Sequence, residues 1–134
     1  MIVLDSSVLS MVFRRTAASE PHPVVRVFHE LVEDDHAMVI PGVVFQEILS
    51  GVKSIEGFRR IEDALSGFPL LFADRSAHRR AAQVRNACRV AGVTAASFDC
   101  LIAAQTLIRD AELFTLDADF VHISEVTGLR LKSW

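Results

Sequence analysis

The chain has 134 residues, is 51% hydrophobic and 23% charged, and carries a formal net charge of −3. This composition excludes a disordered chain and supplies one ordinary domain with a core. It also excludes a general coat for phosphate backbones, which is normally strongly basic. Any nucleic-acid partner must be held by a local basic patch or through metal ions.

Ile2 to Leu4 is a short apolar run ending in Asp5, the pattern of a fully buried strand. Ser6 or Ser7 is placed to cap a helix carrying Val8, Leu9, Val12 and Phe13, and Arg14 and Arg15 close it where cations suit the dipole. Residues 17–23, with two prolines, read as a loop. Val24, Val27, Phe28 and Leu31 then recur at helical spacing, up to the solvated end Glu33, Asp34 and Asp35. Ala37 to Ile40 reads as a second strand, and Pro41 opens a helix with Val44, Ile48 and Val52 on one face.

An amphipathic helix over Glu56 to Leu65 stops at Gly67 and Pro69, and Leu70 to Phe72 forms a third strand. Asp74 caps a long helix in which Ala77, Ala81, Val84, Cys88 and Ala91 step by threes and fours until Gly92. Ser97 or Asp99 opens a helix through Leu101, Ile102, Gln105 and Ile108. Leu113 to Thr115 is a fourth strand and Leu129 to Leu131 a fifth. Short apolar strands alternating with helices define an α/β fold, a parallel sheet of four to five strands with helices on both faces. No linker interrupts it, so residues 1–134 are expected to form a single domain.

Cys88 and Cys100 lie singly in apolar helical stretches, without a Cys-x-x-Cys pair, and read as small core residues in a reducing compartment. The start lacks a basic segment and a cleavage pattern, and no apolar run reaches the ~20 residues that span a bilayer. A soluble cytoplasmic protein is the expectation.

Twelve of the seventeen acidic residues fall at helix ends, in loops or on polar faces. The other five stand in apolar context: Asp5 in IVLDSSVL, Glu47 in VVFQEILSGV, Asp99 in SFDCLIAA, and Asp117 and Asp119 in LFTLDADF. They are expected to be buried, and an unpaired buried carboxylate costs several kcal/mol. Asp5 and Asp117 follow strands whose carboxyl ends share one sheet edge, where open α/β sheets bind ligands. Asp99 heads a helix facing that edge, and Glu47 lies a turn or two into its own. Carboxylates converging without a cation repel one another, and hard oxygen ligands without histidine or thiolate select Mg²⁺ or Mn²⁺ over zinc. Taken singly, Asp5 and Asp99 can also be read as helix caps, Glu47 as a solvated helix residue, and Asp117 and Asp119 as turn formers.

IVLDSSVLS, PGVVFQEILSGV, SFDCLIAAQTL and LFTLDADF, in that order, resemble the PIN-domain ribonucleases, and especially the VapC-type toxins of bacterial toxin–antitoxin pairs. D-x-x-I-A-A followed by T-x-D-x-D-F is the most specific part. The resemblance implies that Asp5, Glu47, Asp99 and Asp117 are catalytic metal-binding acids with Asp119 a fifth contributor. It also implies that Ser6 and Thr115 support the site. Ser7 departs from the asparagine of many relatives, which puts a minor supporting contact in doubt. The implied reaction is hydrolysis of an RNA phosphodiester with one or two Mg²⁺ (or Mn²⁺) ions, in a homodimer held by a cognate antitoxin. Val8, Val12 and Phe13 are candidates for either the dimer interface or the core.

The pocket is negative, so RNA must be gripped elsewhere. Arg14 and Arg15 after the first helix and Arg75, Arg79, Arg80, Arg85 and Arg89 along the long helix are the candidates, or are a solubilising face. His22, His29, His36, His78 and His122 show no metal-ligand pairing, and most are expected at the surface. An aspartyl phosphatase would want Asp-x-Asp after the first strand and a nearby lysine. Here Asp5 precedes two serines, and the lysines are Lys53 and Lys132. A receiver domain would need paired acids at the first strand and an acceptor aspartate on the middle one. A PIN module that binds RNA or protein without cleaving would be expected to lack one of the acids. The Mg²⁺/Mn²⁺-dependent endoribonuclease toxin leads, with a phosphatase-like hydrolase or an inactive binding module as alternatives.

Overall fold

The apolar triplet Ile2–Leu4 forms β1, the buried centre of a parallel sheet. A computed structural model describes residues 1–14 and 20–134, so the expectations for Arg15 and for residues 17–19 lie outside the described residues. After β1 come α1 (Ser6–Phe13), α2 (Pro23–Glu33), β2 (Met38–Pro41), α3 (Gly42–Ser50), α4 (Ile55–Leu65) and β3 (Leu70–Leu71). The second half adds α5 (Arg75–Val90), α6 (Ser97–Ile108), β4 (Glu112–Phe114), α7 (Asp119–Thr127) and β5 (Arg130–Leu131).

The strands lie in the order β3-β2-β1-β4-β5, with Val3 opposite Val39 on one side and Leu113 on the other. From β1 the chain steps outward to β2 and β3, then returns to pair β4 with the free side of β1. Right-handed crossovers put the helices of these two excursions on opposite faces. The packing agrees: α1 contacts α2 and α3, and α3 contacts α4, while α5, α6 and α7 contact one another. The expected sheet with helices on both faces is therefore present. Its strand order reverses between β1 and β4, and this leaves a crevice beyond the carboxyl ends of those two strands.

Local chemistry explains most of the boundaries. The Asp74 carboxylate accepts the Ala77 N–H at 2.9 Å, and Ser54 Oγ accepts the Gly57 N–H at 3.0 Å, satisfying donors in the first turns of α5 and α4. Gly92 and Gly128 end helices at positive φ, 78° and 74°. Three boundary expectations are corrected. Ser6 and Ser7 are the first residues of α1 and cap nothing, because the Ser6 hydroxyl donates to Glu47 and the Ser7 hydroxyl donates to Asp5 and accepts the Leu116 N–H. Pro41 closes β2 and precedes α3. Ala96, not Ser97 or Asp99, takes the cap position of α6. α7 has no counterpart among the expected elements.

Val8 is wholly buried with Leu4, Leu9, Ile40, Phe114 and Phe120, so it belongs to the core and is closed to contact between copies. Val12 and Phe13 are half-buried, lining an apolar cavity of about 860 Å³ with Phe28, Val39 and Phe68. Cys88 and Cys100 are buried and free, and burial pushes both thiols up, away from the reactive thiolate. Among the described residues no helix is long and apolar enough to cross a membrane.

Candidate active site

The crevice is built in two tiers. Asp5 leaves β1 in extended conformation at the cap position of α1, 4% exposed, and its side chain caps nothing. Its Oδ2 accepts two hydroxyl protons, from Ser7 Oγ at 2.7 Å and from Thr115 Oγ1 at 2.7 Å. Each hydroxyl has one proton to give, so the 3.3 Å approach of Ser7 to Thr115 is a contact rather than a third bond. The same two oxygens accept backbone N–H groups, Leu116 into Ser7 at 2.9 Å and Asp117 into Thr115 at 3.0 Å. The loop after β4 is thus fastened to the end of β1. Asp117 Oδ1 then accepts the Asp119 N–H at 2.9 Å, which sets the turn into α7.

Above this hydroxyl tier lies the charge. Asp99, in the first turn of α6, brings a carboxylate oxygen into a group with Asp117 and Asp119 in which all three atoms lie within 4.8 Å of one another. The Asp99 carboxyl is pushed up from 3.8 to about 6, first by burial and then by repulsion from Asp117, Asp5, Asp119 and Glu47. The charges acting on it are all carboxylates, so the five acids singled out in the sequence do face one edge.

Their burial differs from the expectation. Asp5 alone is buried, Asp99 and Asp117 are half-buried, and Glu47 and Asp119 are exposed. The crevice opens to solvent, and a carboxylate at its rim keeps part of its hydration even when its sequence neighbours are apolar. Glu47 stands on the open side of α3, where Ser6 Oγ donates to its Oε1 at 3.1 Å. Ser6, Arg14 and Glu47 line one groove of about 340 Å³ between α1 and α3.

The candidate RNA-binding arginines are spread out. Arg14 lies in the groove beside Glu47. Arg75, Arg79 and Arg80 are exposed on the first half of α5, whose neighbours Gln105, Ile108 and Arg109 lie roughly two turns along α6 from Asp99. Further along α5, the Arg85 guanidinium donates to Ser97 Oγ at the start of α6. His29, His36, His78 and His122 are exposed as expected, while His22 is half-buried and its Nδ1 accepts the Val24 N–H at 3.2 Å. The residue that sequence reasoning undervalued is Ser7. It holds Asp5 and Leu116 at once, and the only hint was a second hydroxyl directly after a strand-end aspartate.

The donor set tests whether a cation fits. Among the described residues it is made of carboxylates, three with oxygens within reach of one another, and no cation among them offsets the repulsion on Asp99. Such a set suits a hard divalent cation such as Mg²⁺ or Mn²⁺ and lacks the nitrogen or sulfur that zinc favours.

Comparison with known proteins agrees with this geometry. The PIN domain family model matches residues 2–126. Over its full length the chain is 33% identical to a VapC ribonuclease from Mycobacterium bovis and to Ribonuclease VapC11 from Mycobacterium tuberculosis, covering 99% of each. The chain belongs to the PIN-domain family, and these full-length relatives place it among the VapC ribonucleases. The fold is also that of VapBC2 from Rickettsia felis, solved bound to a DNA fragment from its promoter. The TM-score is 0.79 at 18% identity, covering all of this chain and 99% of that one.

Proposed function

We propose that this chain is a divalent-metal-dependent endoribonuclease and the toxin of a toxin–antitoxin pair. In this reading residues 1–134 are one nuclease domain, acting in the cytoplasm as a homodimer and held in check by a cognate antitoxin. The observation that carries it is the convergence of Asp99, Asp117 and Asp119 within 4.8 Å above Asp5, at the strand-order reversal of a PIN fold. The likeness to VapC ribonucleases supports RNA as substrate, and the likeness to VapBC complexes supports the antitoxin.

Asp5, Asp99, Asp117 and Asp119 would hold Mg²⁺ or Mn²⁺, with Glu47 at the rim. A bound ion would supply Lewis acidity at the scissile phosphate and make water acidic enough to attack at neutral pH. The chain's own residues prepare the site. Ser7 and Thr115 occupy Asp5 Oδ2, which fixes the carboxylate plane and leaves Oδ1 free of hydrogen bonds among the described residues. The same hydroxyls hold the loop that carries Asp117, so the acids from β1 and β4 keep their spacing before substrate arrives. Ser6 steadies Glu47, which can orient a water or accept its proton at the open side.

The test is incubation of purified protein with pooled structured RNA, including tRNA, with Mg²⁺ or Mn²⁺, beside EDTA and Asp99→Asn controls. Discrete cuts that vanish in both controls are expected. Intact RNA with folded, antitoxin-free protein at every metal tried would refute the reading.

A further inference from the structure

We infer that the recess between α5 and α6, floored by Phe98 and edged by Arg85, is a nucleotide subsite beside the cleavage centre. It takes one unstacked base and the adjoining phosphate of a single-stranded RNA. The inference rests on the ribonuclease reading and adds to it the part of the substrate that is gripped.

Three observations converge there. Phe98 is 69% exposed although it lies in the first turn of a helix in which every residue from Cys100 to Thr106 is buried. It immediately precedes Asp99, so the recess and the acid cluster are served by neighbouring residues of the first turn of α6, on different sides of the helix. The ring shares a recess of about 310 Å³ with His78, Ala81, Ala82, Arg85, Ser97 and Leu101, at the small end of ligand pockets. Arg85 is exposed, carries no ion pair among the described residues, and has its guanidinium held by Ser97 Oγ.

An aromatic face with a fixed guanidinium is the pairing that grips single-stranded nucleic acid. The ring stacks on a base of any identity and the cation meets the backbone phosphate. The acid cluster repels RNA on its own, so a cationic and apolar contact at the same end of α6 gives the substrate a reason to approach. The other exposed aromatic with an arginine in its recess, Phe72 with Arg109, lies at the far end of α6 from Asp99.

The test uses the full chain, Mn²⁺ and a single-stranded RNA dodecamer that the wild type cleaves at one site. Stacking predicts that Phe98→Ala raises KM about tenfold with kcat within twofold, that Phe98→Leu does the same, and that Phe98→Tyr stays within twofold of wild type. Arg85→Gln should lower the salt dependence of KM by the slope of about one phosphate contact, ~0.7 for a single strand. Abasic substitution at one position near the cut should abolish the difference between wild type and Phe98→Ala. Equal KM for wild type and Phe98→Ala, or full rescue by Leu, would overturn the subsite while leaving the nuclease intact. A change of oligomeric state in RNA-free Phe98→Ala would assign the ring to a contact between copies and also overturn it. Dodecamer binding by fluorescence anisotropy, in an Asp117→Asn background, reads the subsite without cleavage. If wild type never cuts RNA yet Phe98→Ala still weakens binding about tenfold, the nuclease reading fails and the subsite stands.

Discussion

The two tiers of the crevice solve opposite problems. In the lower tier a buried carboxylate, Asp5, is satisfied by two hydroxyls that are themselves satisfied by backbone N–H groups. In the upper tier the charges acting on Asp99 among the described residues are carboxylates, and burial together with their repulsion raises its pKa to about 6. The lower tier is folding chemistry, complete in the protein alone. The upper tier is incomplete without a cation, and it is held in that state by the tier beneath. A site of this kind stores its strain in charge rather than in backbone geometry, so the two tiers should respond differently to substitution.

The largest separation is expected from Asp117→Asn. It removes a metal ligand but keeps the turn into α7, since an amide oxygen can still accept the Asp119 N–H. RNA cleavage should fall by at least ~100-fold, an effect typical of removing one charged catalytic group, with thermal stability unchanged or higher. Unfolding of the variant would show that Asp117 belongs to the structural tier and break the distinction.

Ser7→Ala should do the reverse. It strips one donor from buried Asp5 and leaves the Leu116 N–H without its acceptor, so a loss of about 1–3 kcal/mol in denaturant unfolding is expected. Mn²⁺ affinity should drop ~10-fold or more as the Asp5 carboxylate loosens. Stability within 0.5 kcal/mol of wild type, read against the usual scatter of surface changes, would mean that the two hydroxyl contacts of Ser7 do not support the tier.

This second prediction marks where the sequence stopped being legible. Asp5, Asp99 and Asp117 stood out because each interrupts an apolar run at a strand end or helix start, and topology alone brings such places together. The role of Ser7 depends on Thr115 and Leu116, more than a hundred residues away, and no local pattern carries that pairing. Helix α7 escaped notice because Asp117 and Asp119 read as turn formers, and its buried face consists only of Phe120 and Ile123 among β-branched and polar residues. The degree of burial was misjudged for a related reason. Apolar neighbours in sequence say that an element is buried, but Glu47 and Asp119 project from its end at an open edge.

The pH response sharpens the comparison further. Asp99 has its folded pKa raised above the unfolded value, so its contribution is fully present below about pH 4 and is lost as pH rises through about 6. With EDTA present, wild type and Asp99→Asn should therefore be equally stable near pH 4. Above pH 7 the variant should be more stable by ~1 kcal/mol, the full effect of the rise from 3.8 to about 6 being discounted for partial exposure. Mn²⁺ should reverse that order. A constant difference across the range, by urea unfolding, would remove carboxylate crowding as its cause.

The smallest effect belongs to the rim. Ser6→Ala breaks one exposed contact to Glu47, so stability should change by less than ~0.5 kcal/mol and cleavage by only a few-fold. A loss as large as that from Asp117→Asn would move Glu47 from the rim to the centre.

The central claim is that the upper tier is completed by a divalent cation, and calorimetric titration of Mn²⁺ into the RNA-free protein tests it most directly. Run in two buffers of different ionisation enthalpy, it counts the protons displaced on binding. A carboxyl with a pKa of about 6 predicts release of roughly half a proton at pH 6, falling toward zero at pH 8, with both heat and release lost in Asp99→Asn. Binding of equal strength in wild type and Asp99→Asn, or no binding to the folded wild type, would contradict the account.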